Sequence, residues 1–276
     1  LPLPAPRELH EIHSLLDSID DNLFNGSEGF IRQQATKALN SLIMQKVSSY
    51  DKEDSEFFWL NVLSVFNANQ QINEACNKMW ATAELSNVGR GSVWKHGYSP
   101  IGKEFSTLFL SGTLIPTLYY SQVSAMISSL SIFGCVPILV NGTPYYLVRT
   151  VEGWKSFVRR NFIKEILGKK VTGWHEQIIE TYFGLIMEKI RLPKVSQSKL
   201  MRLKKLRNEM HYNVLGDIKM WRVIARREEY QNFVPFVDKT ICGSIELLQT
   251  VTKVTNGCDN RYSKLRAAME KDLKLL

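Results

Sequence analysis

Val136-Pro137-Ile138-Leu139-Val140-Asn141-Gly142-Thr143-Pro144-Tyr145-Tyr146-Leu147-Val148 is the stretch of this 276-residue chain that reads as β structure. β-Branched and aromatic residues flank Asn141-Gly142, and both residues of that pair tolerate the positive φ that a tight two-residue hairpin turn demands. The expectation is a small β-hairpin near residues 136–150. Everything around it carries the spacing of helices, so the predicted fold class is all-α with this hairpin as an insertion.

Upstream, Leu114, Leu118, Val123, Met126, Ile127 and Leu130 predict a central helix. Its start is expected between Ser111 and Pro116, because proline is tolerated in a first turn and costly further in, and its end near Gly134. The run Leu108–Val140 is the most apolar of the chain, yet Gly112, Pro116, Gly134, Pro137 and many serines interrupt it. It reads as a buried helix rather than a membrane span. Towards the N-terminus, Leu9, Ile12, Leu15, Leu16 and Ile19 mark one amphipathic helix. Ala35, Ala38, Leu39, Leu42, Ile43 and Val47 mark a second, and Phe57 to Met79 a third. Gly89-Arg90-Gly91-Ser92 is expected to break the chain, with Trp94 to Pro100 as a connector. This predicts an N-terminal helical region over 1–100 and a helical domain over 101–276. Downstream of the hairpin, helices are expected from Gly153 to Leu167, His175 to Ile190, Ser198 to Val214, Ile218 to Tyr230, Phe236 to Val254 and Arg261 to Leu275.

The apolar fraction of 44% is that of a folding chain, and a formal charge of +8 favours a polyanionic partner. Cys76, Cys135, Cys242 and Cys258 lie far apart and form no CxxC pair, which indicates neither a zinc site nor a dense disulfide framework and fits a cytoplasmic setting.

The positive charge is clustered. Between Arg191 and Arg207 stand seven basic residues, Arg191, Lys194, Lys199, Arg202, Lys204, Lys205 and Arg207, and no acidic one. On a helix, Leu200, Leu203, Leu206, Met210 and Val214 form one apolar stripe. Arg207 and His211 share one edge of it, with Lys204 and Asn208 just beyond. An imidazole exchanges protons near neutral pH, and a guanidinium holds a phosphate and stabilises charge that develops on it. With a ribose 2′-hydroxyl as nucleophile, such a pair needs neither metal nor cofactor to cleave RNA. The same spacing also arises from an ordinary helix-edge histidine beside a solvated arginine, and spacing alone leaves both readings open.

Two stretches together resemble the HEPN superfamily, the higher-eukaryote and prokaryote nucleotide-binding domains. Thr117–Gly134, with the pair Tyr119-Tyr120, is similar to that family's Tyr-Tyr helix ending in glycine. Leu206-Arg207-Asn208-Glu209-Met210-His211-Tyr212-Asn213 is similar to its Arg-Asn helix with a downstream histidine. The resemblance covers roughly residues 101–255. It implies a helical bundle, usually homodimeric, in which Arg and His of two protomers meet in a groove. Its members include metal-independent ribonucleases of toxin, antiphage and RNA-processing systems, and inactive relatives that bind or assemble. On that resemblance Arg207 would hold the scissile phosphate, His211 would transfer protons, Asn208 would orient the site and Tyr212 would stack or close the groove. Lys199, Arg202, Lys204 and Lys205 would carry the RNA backbone, and an antitoxin or defence-system protein is an implied partner. The spacing from Arg207 to His211 is shorter than the family's catalytic pattern usually has. A non-catalytic interaction or nucleic-acid-binding module is therefore the competing expectation.

Trp94-Lys95-His96 and Trp174-His175 place an aromatic beside a basic or titratable group, as stacking sites for nucleic acid do. Trp221-Arg222 with Arg226-Arg227 extends the basic pattern, though Glu228 and Glu229 can neutralise it. His10 and His13 lack further ligands nearby, and no metal site is expected. Phosphate-loop, nucleophile-elbow and HExxH motifs are absent.

Overall fold

The computed structural model describes residues 28–44, 55–95, 100–150 and 152–187, together with 200, 201, 203–205, 207 and 208. In chain order these form α1 (Glu28–Met44), α2 (Ser55–Lys95), α3 (Pro100–Ile132), β1 (Cys135–Val140), β2 (Thr143–Thr150), β3 (Gly153–Val158), α4 (Arg159–Leu167) and α5 (Trp174–Tyr182). A π-helical turn, Phe183–Met187, extends α5, and the described residues of 200–208 are helical. The expected helices over Leu9–Ile19, 218–230, 236–254 and 261–275 lie outside the described residues.

The fold is mixed rather than all-α. Helices dominate, but β1, β2 and β3 make a three-stranded antiparallel sheet in sequence order. The predicted hairpin is its first half. Asn141 and Gly142 form the turn with φ of 48° and 78°, and Ile138 stands opposite Tyr145. The expected helix from Gly153 to Leu167 is replaced by β3 running straight into α4. Trp154 is buried on one face of the sheet while Phe157, on the other, meets a helix, an alternation that suits a strand covered on both sides. Two further corrections concern the long helices. α2 continues through Gly89-Arg90-Gly91-Ser92, and α3 begins at Pro100 and carries Pro116 in its interior. No helix among the described residues is long and apolar enough to cross a membrane.

Contacts divide the described chain into two units. The first holds 28–44, 55–73, 123–150 and 152–187, and the second holds 74–95, 100–122 and the described part of 200–208. In the first unit, one sheet face, with Val136, Leu147 and Trp154, joins Ala38 and Leu42 of α1 and Phe57 and Leu60 of α2 in an apolar core. The indole Nε1–H of Trp154 donates to Asn61 Oδ1 at 3.2 Å, so this large side chain is buried with its polar atom satisfied. The opposite face packs on α4 and α5. Tyr146 and Phe157 meet the ring of Phe162 at 5.2 and 5.6 Å, and the Tyr146 hydroxyl donates to Thr181 Oγ1 at 2.9 Å.

α2 and α3 meet in the first unit along a seam of small polar side chains. Ser64 Oγ donates to the carbonyl of Ser131, Asn67 Nδ2 donates to Ser131 Oγ at 2.7 Å, and Ser128 Oγ donates to the carbonyl of Ala68 at 2.8 Å. Hydroxyls on short side chains let two helices come close while giving these buried polar atoms hydrogen-bond partners.

Candidate nucleic-acid interface

Leu200 and Leu203 are fully buried, as members of the expected apolar stripe should be, while Lys205 is exposed and Lys204 and Asn208 are half-buried. Arg207 is only 6% exposed. Its guanidinium carbon lies 5.0 Å from the ring centre of Tyr119 and 5.4 Å from that of Tyr120. The two tyrosines are neighbours on α3 in edge-to-face contact at 5.6 Å, with Tyr119 fully buried. One residue of the second motif stretch, Arg207, thus meets the Tyr119-Tyr120 pair of the first within the second unit. A guanidinium over two aromatic faces gains cation–π attraction, strongest where water is excluded. Lys78 Nζ lies 5.6 Å from the Tyr120 ring centre and is ion-paired with Glu74, so the pair of rings has a cation from each of two helices.

Of the other residues expected at the site, Lys199, Arg202, His211 and Tyr212 lie outside the described residues. The Arg207–His211 geometry is therefore not part of what is described. What is described is a basic helix whose apolar side is buried, whose Lys205 faces solvent and whose Arg207 is turned inward.

A second arginine, one the sequence reading did not single out, is held in a similar way in the first unit. Arg159, the first residue of α4, is fully buried, its guanidinium carbon 5.0 Å from the Tyr146 ring centre and 5.3 Å from that of Trp174. Nη2 donates to the carbonyls of Ile138 at 3.2 Å and Tyr145 at 3.5 Å. Nε and Nη1 have no hydrogen-bond partner among the described residues, and no salt bridge to Arg159 is found among them. Cys135 and Tyr146 interact with it electrostatically. Burial raises the pKa of both well above the ordinary thiol and phenol values, although Arg159 pulls each back. Burial lowers the arginine's own pKa, and the guanidinium remains charged at neutral pH. The nearest sequence signal was the neighbouring pair Trp174-His175. Arg159 itself was concealed because a continuous helix from Gly153 would place it mid-helix, where an arginine is ordinarily solvated.

No family model matches this chain, and neither a curated protein nor a solved structure matches it.

Proposed function

We propose that this chain is a HEPN-like RNA-binding protein in which Lys204, Lys205 and the flanking cations carry the RNA phosphates and Arg207 anchors the basic helix to α3. The observation behind this reading is the burial of Arg207 over Tyr119 and Tyr120. It joins a signature group from each of the two stretches, Arg207 and the Tyr119-Tyr120 pair, and it gives the arginine a packing task. Lys205 on the same helix is exposed and Lys204 half-buried, and cations there release counterions on meeting phosphates. A homodimer, a cytoplasmic setting and an antitoxin or defence-system partner belong to the same proposal.

The test is binding of single-stranded RNA across a range of salt concentrations, with cleavage followed in parallel in EDTA. Replacing Lys204 and Lys205 by alanine should flatten the salt dependence, each lost phosphate contact removing about 0.7 from the log–log slope for a single strand. An unchanged slope would sink the assignment of these lysines. Cleavage that persists in EDTA and vanishes in both Arg207→Ala and His211→Ala would replace the binding reading with a ribonuclease, Asn208 then orienting the site.

A further inference from the structure

We propose that Arg159 is the floor of a separate anion site, closed by Trp174, that takes the phosphate of a nucleotide while the nucleotide's base stacks on the Trp174 ring. The site lies in the first unit and shares no residue with the basic helix, so it stands or falls independently of the RNA reading.

The argument starts from an imbalance. A fully buried guanidinium has five N–H donors, and here only Nη2 has acceptors, the carbonyls of Ile138 and Tyr145. The donors on Nε and Nη1 are without partners among the described residues. The acidic groups coupled to it, Cys135 and Tyr146, are both held protonated by burial and contribute no negative charge. A buried cation in that condition is costly, and an anion is the ligand that relieves the cost.

The covering residue stands at the surface. Trp174 is the first residue of α5 and follows the non-helical residues 168–173. It is 49% exposed, an unusual condition for an indole, even though it packs over Arg159. Rotation of one side chain would open the guanidinium without disturbing the sheet, and the outer indole face offers a surface to a planar base. Leu139 on β1 and Val158 at the end of β3 are also exposed, at the hairpin end of the sheet where Arg159 bonds to Ile138 and Tyr145. Arg160 and Lys164, exposed and one turn apart on α4, add positive charge on the helix that Arg159 begins.

The N-terminus of α5 is not the anion's seat. A Cβ on Gly173 would stand 3.1 Å from Glu176 Oε2, so a carboxylate already lies against that helix end. This leaves the ligand's charge to Arg159. The combination of one buried guanidinium, an open indole face and further exposed cations fits a nucleoside monophosphate better than a simple carboxylate, which has no use for the indole.

The test titrates the full chain with adenosine monophosphate, inorganic phosphate and acetate, following arginine Nε–H resonances by NMR and affinity by calorimetry. The monophosphate should shift one arginine resonance that is missing in Arg159→Met. Loss of charge-assisted hydrogen bonds should weaken its binding by about 10- to 100-fold in that variant. Trp174→Ala should cost about tenfold for the monophosphate and leave inorganic phosphate unchanged, since only the base uses the ring. Arg159→Lys, which keeps the charge and loses the fork, should fall between wild type and Arg159→Met. A monophosphate that shifts no arginine resonance, or binds all three variants equally, overturns the site. Equal affinity for inorganic phosphate and monophosphate overturns the base stacking, and acetate binding as tightly as either overturns the phosphate assignment. Alanine at Lys204 and Lys205 should leave this binding unaltered, which separates failure here from failure of the RNA reading.

Discussion

Arg207 and Arg159 are held by the same device, a guanidinium over two aromatic rings at 5.0 to 5.4 Å, in two different parts of the fold. Arg207 belongs to a run of cations of which Lys205 reaches solvent, and its burial fastens a charged surface helix to the interior. Arg159 stands at the junction of β3 and α4, with two backbone carbonyls as its polar partners and donors left over. Ring stacking alone therefore says little about what a buried arginine is for. What marks Arg159 out is that two of its three guanidinium nitrogens, Nε and Nη1, lack an acceptor among the described residues.

Replacement of each arginine by methionine, which keeps most of the volume, breaks this comparison most directly. Arg159→Met should raise the free energy of unfolding by about 1–3 kcal/mol in denaturant titrations, because removing an uncompensated buried charge outweighs the loss of two hydrogen bonds. Destabilisation would mean that the carbonyls and rings already satisfy the cation. Alkaline pH is the next largest perturbation. Cys135 keeps its proton more tightly in the fold than in the unfolded chain, so stability is complete below the ordinary thiol pKa of about 8.5 and falls as pH rises above it. By pH 10 the loss should reach up to roughly 2 kcal/mol, and Cys135→Ala should abolish that portion of the decline in thermal unfolding scans. Arg207→Met should act in the opposite sense to Arg159→Met and lower stability by about 1 kcal/mol, the cation–π gain over two tyrosines being lost while less desolvation is relieved. A change of the same sign in both variants would erase the proposed difference between them. Smallest should be Tyr146→Phe, which removes the hydroxyl donated to Thr181 and costs about 1 kcal/mol or less, since Thr181 still donates to the carbonyl of Gln177 at 2.7 Å.

The hairpin was legible because its turn is a local matter. Asn141-Gly142 are the residue types that adopt positive φ in sequence, and they do so in the structure. β3 was not, because six residues pass into α4 with no turn residue between Val158 and Arg159, and the apolar positions of 153–167 fit either period. Gly89, Gly91 and Pro116 misled in the other direction. Each lowers helix propensity, but propensity is a weak prior, and Pro116 lies in a stretch where Ile115, Leu118 and Tyr119 are all buried. At the site, the apolar stripe was readable from Leu200 and Leu203, and the pairing of the Arg207 helix with Tyr119-Tyr120 had been approached only through a family resemblance. That Arg207 turns inward could not be read, since a helical projection places a side chain on an edge and does not reveal what covers that edge. Arg159 shows the same limit more sharply, its surroundings being drawn from β1, β2 and α5.

The serine seam between α2 and α3 has a further consequence. An oily contact between two helices can slip by part of a turn and still be an oily contact. Ser64, Asn67 and Ser128 instead bind particular atoms of Ser131 and Ala68, and a shift of one residue would miss every one of them together. The seam therefore works as an index mark, setting how far α3 has advanced along α2 at the point where its chain turns into β1.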